Sequence, residues 1–317
     1  MKRHYIFLIP LLWSALFLTS CSREEPDQSA RNDTEKLTKH YVNMFAFNMM
    51  STYYLWNQEI SAALKTWPAD ADPVAKVREV RYKDIKGTDI DRWTQAFDDY
   101  STFVNDINGI SSTYGADFVL YYTDSSRQKV CAVITYVYKD SPADKAGLKR
   151  GDAIFAVNGK VMTTSDYAGI LSRDYYGSSS VTVTLRDGST VSMNSVTMYE
   201  DPVLQYSIFD CAGKKVGYLV YTSFTRDSCL RLLEACRYFK DEGIKELILD
   251  LRYNGGGQTT VEAALASMLA PEANVKAGDI YEIDIYNKEL TEMMGDGTTR
   301  FKTDFKLSAD GDEVSFS

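Results

Sequence analysis

The stretch KELILDLRYNGGGQTT, Lys245–Thr260, decides the fold. Ile244, Leu247, Ile248, Leu249 and Leu251 make a short, nearly continuous apolar run, the pattern of a strand buried on both faces of a parallel sheet. The run stops at Asn254-Gly255-Gly256-Gly257. A helical period then begins (Val261, Ala264, Leu265, Met268, Leu269), with Thr259 and Thr260 as N-cap candidates. Glycines at this corner permit positive φ and leave backbone N–H groups bare beside a helix start. Such a corner can hold a phosphate, a carboxylate or the oxyanion of an acyl-transfer intermediate, or it can be only a tight turn.

The chain has 317 residues, 44% of them hydrophobic, enough for two or three domains with their own cores. A net charge of −9 and the lack of any basic patch argue against a nucleic-acid partner. The start reads as a targeting segment: Lys2, Arg3 and His4 are followed by an apolar run, Tyr5–Leu18, too short to span a membrane comfortably. Leu18-Thr19-Ser20-Cys21 resembles a bacterial lipoprotein lipobox. The resemblance implies cleavage before Cys21 and acylation of its sulfur and new amine; an ordinary secretory signal with a chance cysteine is the alternative. Several acyl chains on one residue give a stable anchor where one chain does not. The expected address is therefore the cell envelope, on the outer membrane of a bacterium, facing the periplasm or the cell surface. Ser22–Thr34 is polar and reads as a tether, and Glu24-Glu25-Pro26-Asp27 within it resembles surface-export signals.

Four further cysteines remain, Cys131, Cys211, Cys229 and Cys236. The last two lie seven residues apart on one helix face, too far for a disulfide, and read as core thiols. No CxxC or Cys/His spacing suggests a metal, and no cofactor is expected. Glu35 to about Tyr100 reads as a mostly helical scaffold. Its aromatic and methionine stripe, Tyr41, Phe45, Met49, Tyr53 and Trp56, is read as packing, and a second helix is expected from Asp89 with Trp93, Phe97 and Tyr100 on one side.

From Ser101 to Tyr199 the pattern changes to short β runs: Phe118–Tyr122, Val130–Val137 and Val181–Leu185, the last followed by the turn Asp187-Gly188. Between them stands DSPADKAGLKRGDAIFAVNGK, Asp140–Lys160, in which Gly151-Asp152 is a turn entering a strand and Asn158-Gly159 suits a type I′ hairpin. This stretch resembles a PDZ domain of the bacterial protease type. The resemblance places a carboxylate-binding loop at Tyr114-Gly115-Ala116-Asp117-Phe118. It also implies that a peptide adds as a strand beside Phe118–Tyr122, against a helix at Ser165–Leu171. Asp117 stands where many relatives carry a second small residue, a departure that weakens the case for capture of a terminal carboxylate. A structural or regulatory PDZ that grips no peptide is the alternative.

After Glu200 the chain reads β-α-β: Lys215–Ser223, an amphipathic helix over Asp227–Glu242, and Glu246–Leu251, with the two strands parallel across a right-handed crossover. GYLVYTSF followed by DLRYNGGG, after a PDZ domain, resembles the C-terminal processing (tail-specific) serine peptidases. The resemblance implies an internal peptide bond cut by a Ser nucleophile with a Lys general base. It also implies an oxyanion-hole N–H from Gly256, with Gly255 and Gly257 shaping the loop and Asp250, Arg252 and Asn254 bracing it. Gly278–Tyr286 and Arg300–Leu307 read as further strands. The small-residue strand that carries the nucleophile in this family has no counterpart before Ser317, so the Ser and the Lys are expected beyond it, in a longer protein. Within the chain Ser223 is the best hydroxyl, at a structural position, and His40 reads as a helix-surface histidine. The expected fold class is α+β multidomain. Its parts are a signal with lipobox (1–21), a tether (22–35), a helical domain (36–100), a PDZ domain (101–200) and an incomplete peptidase core (201–317). A non-catalytic PDZ-containing peptide-binding lipoprotein is the second function class. A phosphate or nucleotide binder is disfavoured, because no Lys-Ser/Thr follows the glycines and no GxGxxG occurs.

Overall fold

Secondary structure is described by a computed structural model for residues 28–303, 305–309 and 312–316; the signal segment, Cys21 and the tether up to residue 27 lie outside them. The chain divides between Ala96 and Phe97 into two compact units. Among the described residues the first holds three helices, α1 (Gln28–Thr52), α2 (Ser61–Lys65) and α3 (Pro73–Val80). Asp72 caps α3, its carboxylate accepting from the Ala75 N–H at 2.7 Å, and Pro73 occupies the first turn where its missing donor costs nothing.

Two expectations fail in this unit. The face of α1 that packs is Ala46 and Met50, continued by Tyr54 against Val77 and Val80 of α3. Of the expected stripe, Tyr41, Phe45, Met49 and Tyr53 are one residue out of register with it, and Phe45 is 65% exposed, whereas Trp56 does pack against this cluster. Neither does a helix start at Asp89. Asp91 is buried, and its carboxylate accepts from the Tyr54 hydroxyl (2.8 Å) and from the N–H groups of Trp93 and Thr94 (3.0 Å each). Those bonds satisfy an irregular backbone where the spacing alone had suggested a helix.

The second unit opens with α4 (Tyr100–Ile107) and β1 (Ile110–Thr113). A PDZ-like sheet follows: β2 (Ala116–Tyr122), β3 (Val130–Val137), α5 (Pro142–Lys145), β4 (Ala153–Val157), β5 (Lys160–Val161), α6 (Tyr167–Ile170), β6 (Ser180–Leu185) and β7 (Thr190–Asn194). The strand order is β2-β3-β4-β6-β7 with β5 paired to β4, so among the described residues β2 has one free edge. Asn158 and Gly159 both take positive φ (49° and 75°) in the β4–β5 hairpin, as a type I′ turn requires. After α6 the backbone continues as a π-helix over Leu171–Tyr176, longer than the spacing had indicated. Ile134, Ile154, Val157, Met162 and Val183 form the centre of this core. The strand β8 (Val196–Tyr199) returns antiparallel to β1, pairing Ile110 with Tyr199, and so brings the two ends of the domain together.

Beyond it come β9 (Val203–Cys211), β10 (Lys214–Tyr221), α7 (Cys229–Asp241), β11 (Glu246–Asp250) and α8 (Thr259–Leu269). They are followed by α9 (Glu272–Ala277), β12 (Ile280–Ile283), α10 (Lys288–Met294), β13 (Thr298–Arg300), β14 (Phe305–Ala309) and β15 (Asp312–Phe316). The sheet order is β11-β10-β9, with β10 and β11 parallel across α7 as the crossover rule demands. Leu219 and Tyr221 of β10 are fully buried against Leu232 and Ala235 of α7 and Val261 of α8. Each such side chain contributes about 1.5–3 kcal/mol of hydrophobic stabilisation. Gly217 lets α7 approach: a Cβ there would meet Leu247 Cδ1 at 3.0 Å and Phe239 Cδ1 at 3.1 Å. Cys229 is buried and Cys236 half-buried among these helix contacts, both as free thiols.

The expectation of a strand buried on both faces is corrected for β11. It is the edge of its sheet among the described residues; Leu247 and Leu249 face the core, whereas Ile248 is 52% exposed. The nearly continuous apolar run hid this asymmetry, because a period of two cannot be read where both faces are apolar.

Candidate functional site

The last residue of β11, Asp250, is 7% exposed and ties the exit of the strand. Its carboxylate accepts from Arg252 Nε (2.9 Å) and Nη2 (2.6 Å), from the Arg252 backbone N–H (3.2 Å) and from the Tyr218 hydroxyl (2.6 Å). The hydrogen bonds from the Arg252 guanidinium hold the carboxyl well below the usual carboxylate range, and the Tyr218 hydroxyl adds to them. Because the Arg252 side chain is 66% exposed, solvent screens the pair, and its value is in ordering the turn more than in stability.

Asn254 then clamps the loop with both ends of its amide. Nδ2 donates to the Tyr221 carbonyl (3.1 Å), and Oδ1 accepts from the Gly256 N–H (2.8 Å). Gly255 N–H donates to the Thr222 carbonyl (3.1 Å), Phe224 N–H to the Gly256 carbonyl (2.8 Å), and Gln258 N–H to the Phe224 carbonyl (2.8 Å). The glycines are thus zipped to the segment that leaves β10. Gly256 and Gly257 sit at φ 99° and 139°, and a Cβ on Gly257 would stand 2.5 Å from the Phe224 carbonyl oxygen. No other residue fits there without moving backbone. The Gly256 N–H, the expected oxyanion donor, is engaged by Asn254, whereas among the described residues the exposed Gly257 N–H has no acceptor. The helix α8 starts at once after the loop with Gln258 as its N-cap residue, one position ahead of the two threonines expected to cap it. Ser223 Oγ donates to the Gly256 carbonyl (3.3 Å), a bracing position, and His40 lies exposed on α1.

In the PDZ loop the Tyr114 hydroxyl donates to the Ser178 carbonyl (2.6 Å), and Tyr114 is buried. Gly115 has φ 79°, and a Cβ there would collide with Ser141 Cβ at 2.1 Å. The Gly115 carbonyl accepts from Tyr138 N–H (2.8 Å). Ala116, Asp117 and Phe118 enter β2 through a bulge between Asp117 and Phe118. The Phe118 ring packs edge-on against Tyr175 (5.3 Å) and stacks on Tyr176 (6.1 Å), so the side of the groove opposite β2 is aromatic.

The loop on the core and the PDZ domain meet through residues that sequence reading did not single out. Tyr253, inside the DLRYN motif, lies 5.9 Å from the Tyr136 ring, and the Arg150 guanidinium sits over Tyr253 (5.3 Å) while donating to the Thr135 carbonyl. The Tyr199 hydroxyl and Thr225 Oγ1 are 3.3 Å apart, and Gln258 Nε2 reaches the Ile107 carbonyl (3.4 Å). Glu200, at the crossover from β8 to β9, donates its N–H to the Gly109 carbonyl (2.8 Å). Burial pushes the Glu200 carboxyl up and the charge of Asp117 adds to it, while the Thr113 hydroxyl pulls the other way. The Arg in LKRGD and the Tyr in RYN were the available signals for this contact, but each is unremarkable until the fold brings them together.

Residues 133–186 match the family model of the PDZ domain, and residues 215–290 match that of peptidase family S41. A CtpA-like serine protease of Staphylococcus aureus (strain N315) is 25% identical over 257 residues, covering 76% of this chain and 52% of its own length. The carboxy-terminal processing protease CtpB of Bacillus subtilis (strain 168) is 30% identical over 131 residues, covering 39% of this chain and 27% of its own. Among solved structures, an S41 protease from Bacteroides fragilis NCTC 9343 aligns with a TM-score of 0.49 at 22% identity, over 86% of this chain and 65% of that one. The photosystem II D1 C-terminal processing protease aligns with a TM-score of 0.41 at 18% identity, over 88% and 72%. The chain spans about half the length of the curated CtpA-like relatives it matches.

Glu200 generates a pH prediction. A carboxyl whose folded pKa is raised stabilises the fold fully below its unfolded value, about 4.3, and that stability is lost as pH rises through the folded value. Thermal unfolding of Glu200→Gln and the parent between pH 4 and 8 should show the variant gaining on the parent as pH rises. Parallel curves would count against a carboxyl raised by partial burial at this crossover.

The chain thus carries a segment that matches the PDZ domain followed by one that matches peptidase family S41, in the order in which its helices and sheets are arranged.

Proposed function

We propose that the protein is a serine endopeptidase of the C-terminal processing type, cutting peptide bonds in cell-envelope proteins, with the PDZ domain recognising or gating the substrate. The observation that carries the reading is the glycine loop at the end of β11, held rigid by Asp250, Arg252 and Asn254 within the segment that matches peptidase family S41. A preorganised amide needs no reorganisation when charge develops on the carbonyl oxygen of a substrate, and one such donor is worth about 100- to 1,000-fold in rate. The open donor is the Gly257 N–H, with Asn254 fixing Gly256 beside it. A Ser nucleophile and a Lys general base complete this site. In this reading neither lies within residues 22–317, which are inactive alone. The Lys takes the Ser proton as the hydroxyl attacks, which requires burial to lower its pKa. Cys21 carries the lipid anchor, which places the enzyme on the outer membrane.

Three outcomes test this reading. A fluorophosphonate probe should label the complete protein but leave residues 22–317 untouched; labelling of the short form would show that the nucleophile lies within it. Gly256→Val, forced to φ 99°, should lower kcat/KM by about 100-fold or more while peptide binding by the PDZ domain persists. Unchanged turnover would remove the loop from the oxyanion role. Cys21→Ser should move the protein from the membrane to the soluble fraction, and retention on the membrane would locate the anchor elsewhere.

A further inference from the structure

Between α7, the start of β11 and the end of α8 lies an open-sided groove of about 500 Å³. Its floor is apolar: Leu233, Cys236 and Phe239 come from α7, Leu247 from β11, and Met268 and Leu269 from α8. Leu233, Cys236, Leu247 and Met268 are only partly covered by the protein's own packing, and Leu269 is 38% exposed. The rim is basic. Arg237 and Lys240 stand one turn apart on α7, and Lys245 follows in the turn to β11. Among the described residues none of the three forms an ion pair, although the chain carries a net charge of −9. The acids around them are engaged by other lysines: Glu246 by Lys214 (2.8 Å), Glu242 by Lys215 (2.8 Å) and Glu272 by Lys276 (2.5 Å). The C-terminal dipole of α7 accounts for one cation in the last turn, not for three around an apolar floor. Both β11 and α8 reach the groove at the ends remote from the glycine loop, so the groove is separate from that loop.

We propose that this groove binds a free long-chain fatty acid, with the aliphatic chain on the floor and the carboxylate held by Arg237, Lys240 and Lys245. A cavity of this size, mostly apolar with a few convergent polar groups, is the usual form of a small-molecule site. The chain gains from each CH2 that it hides from water, and its carboxylate meets donors with no other charge to satisfy. The cations gather at one corner, where α7 ends and β11 begins, and are not strung along the groove. That arrangement suits a molecule with one head and one tail better than an acidic amphipathic helix, which carries its carboxylates turn by turn. An amphiphile with a neutral head leaves the three cations unpaired, and one with a cationic head is repelled. Cys236 lies on the floor as a free thiol that burial pushes up to about 11. It therefore reacts slowly, and an occupant of the groove covers it further.

The test is isothermal titration calorimetry of the full chain with octanoate, decanoate and dodecanoate, below their micelle-forming concentrations. The alcohols and trimethylammonium salts of the same chain lengths are the comparison. The carboxylates should bind about tenfold more tightly than the alcohols, and the trimethylammonium salts more weakly than either. Affinity should rise about two- to fourfold with each added CH2. The combined variant Arg237→Gln, Lys240→Gln and Lys245→Gln, changed only at exposed positions, should bring carboxylate binding to within about twofold of alcohol binding and leave alcohol binding in place. Saturating dodecanoate should slow labelling of Cys236 by N-ethylmaleimide several-fold, read by peptide mass spectrometry, with the exposed Cys211 as the unchanged internal standard. Carboxylates that bind no better than alcohols, or a preference that survives the combined variant, overturn the inference, and so does unchanged labelling of Cys236. Protection of Cys236 by an acidic amphipathic helical peptide where no carboxylate protects it also overturns the inference, and makes the groove a protein-docking surface.

Discussion

The carboxylate of Asp250 is the constraint on which the candidate site depends. It ends β11 almost fully buried, and it is satisfied only because the chain turns back at once to supply the Arg252 N–H and guanidinium, with Tyr218 closing from the neighbouring strand. That turn delivers Asn254 to the Tyr221 carbonyl, and Asn254 in turn orders the glycines. A flexible triple glycine would be an entropic liability as a charge-stabilising element, since its amides would have to be ordered during the reaction. Here the ordering is done by the fold. The loop's carbonyl and amide groups are paired with residues 222–224, and only a narrow set of amides is left open.

A second junction follows from the first. Because the DLRYN turn is fixed, Tyr253 presents its ring outward to Tyr136 and Arg150 of the PDZ domain. The β1–β8 pairing brings Gly109 next to Glu200, so both chain connections of the PDZ domain run past the glycine loop and not away from it. Aromatic stacking and a cation over a ring are weak individually, about 0.5–1.5 kcal/mol each.

Local signals in the sequence were faithful where a single short-range rule governed the outcome. The parallel pairing of β10 and β11 followed from two apolar runs flanking an amphipathic helix. The Asn158-Gly159 hairpin followed from positive-φ chemistry, and the Asp250/Arg252 brace from a motif whose members are two residues apart. Where two rules competed, spacing misled. Tyr41, Phe45, Met49 and Tyr53 have helical period but are not the face that packs; Ala46, Met50 and Tyr54, one residue further on, are. Asp91 overrode a helical pattern by offering the backbone other bonds.

What the sequence determined by itself was the order of the described parts: helices, a PDZ-like set of short strands, and a β-α-β unit closing on a glycine corner. Each of those is written in residues adjacent in the chain, where hydrophobic period and turn chemistry act over one or two turns of backbone. Only the tertiary structure decided which amide of the glycine corner is open, that β11 has one exposed face, and that Tyr136, Arg150 and Tyr253 meet. The outer two of these are 117 positions apart, and their contact depends on how the sheets are arranged. A contact assembled from distant segments exists only once the chain has folded.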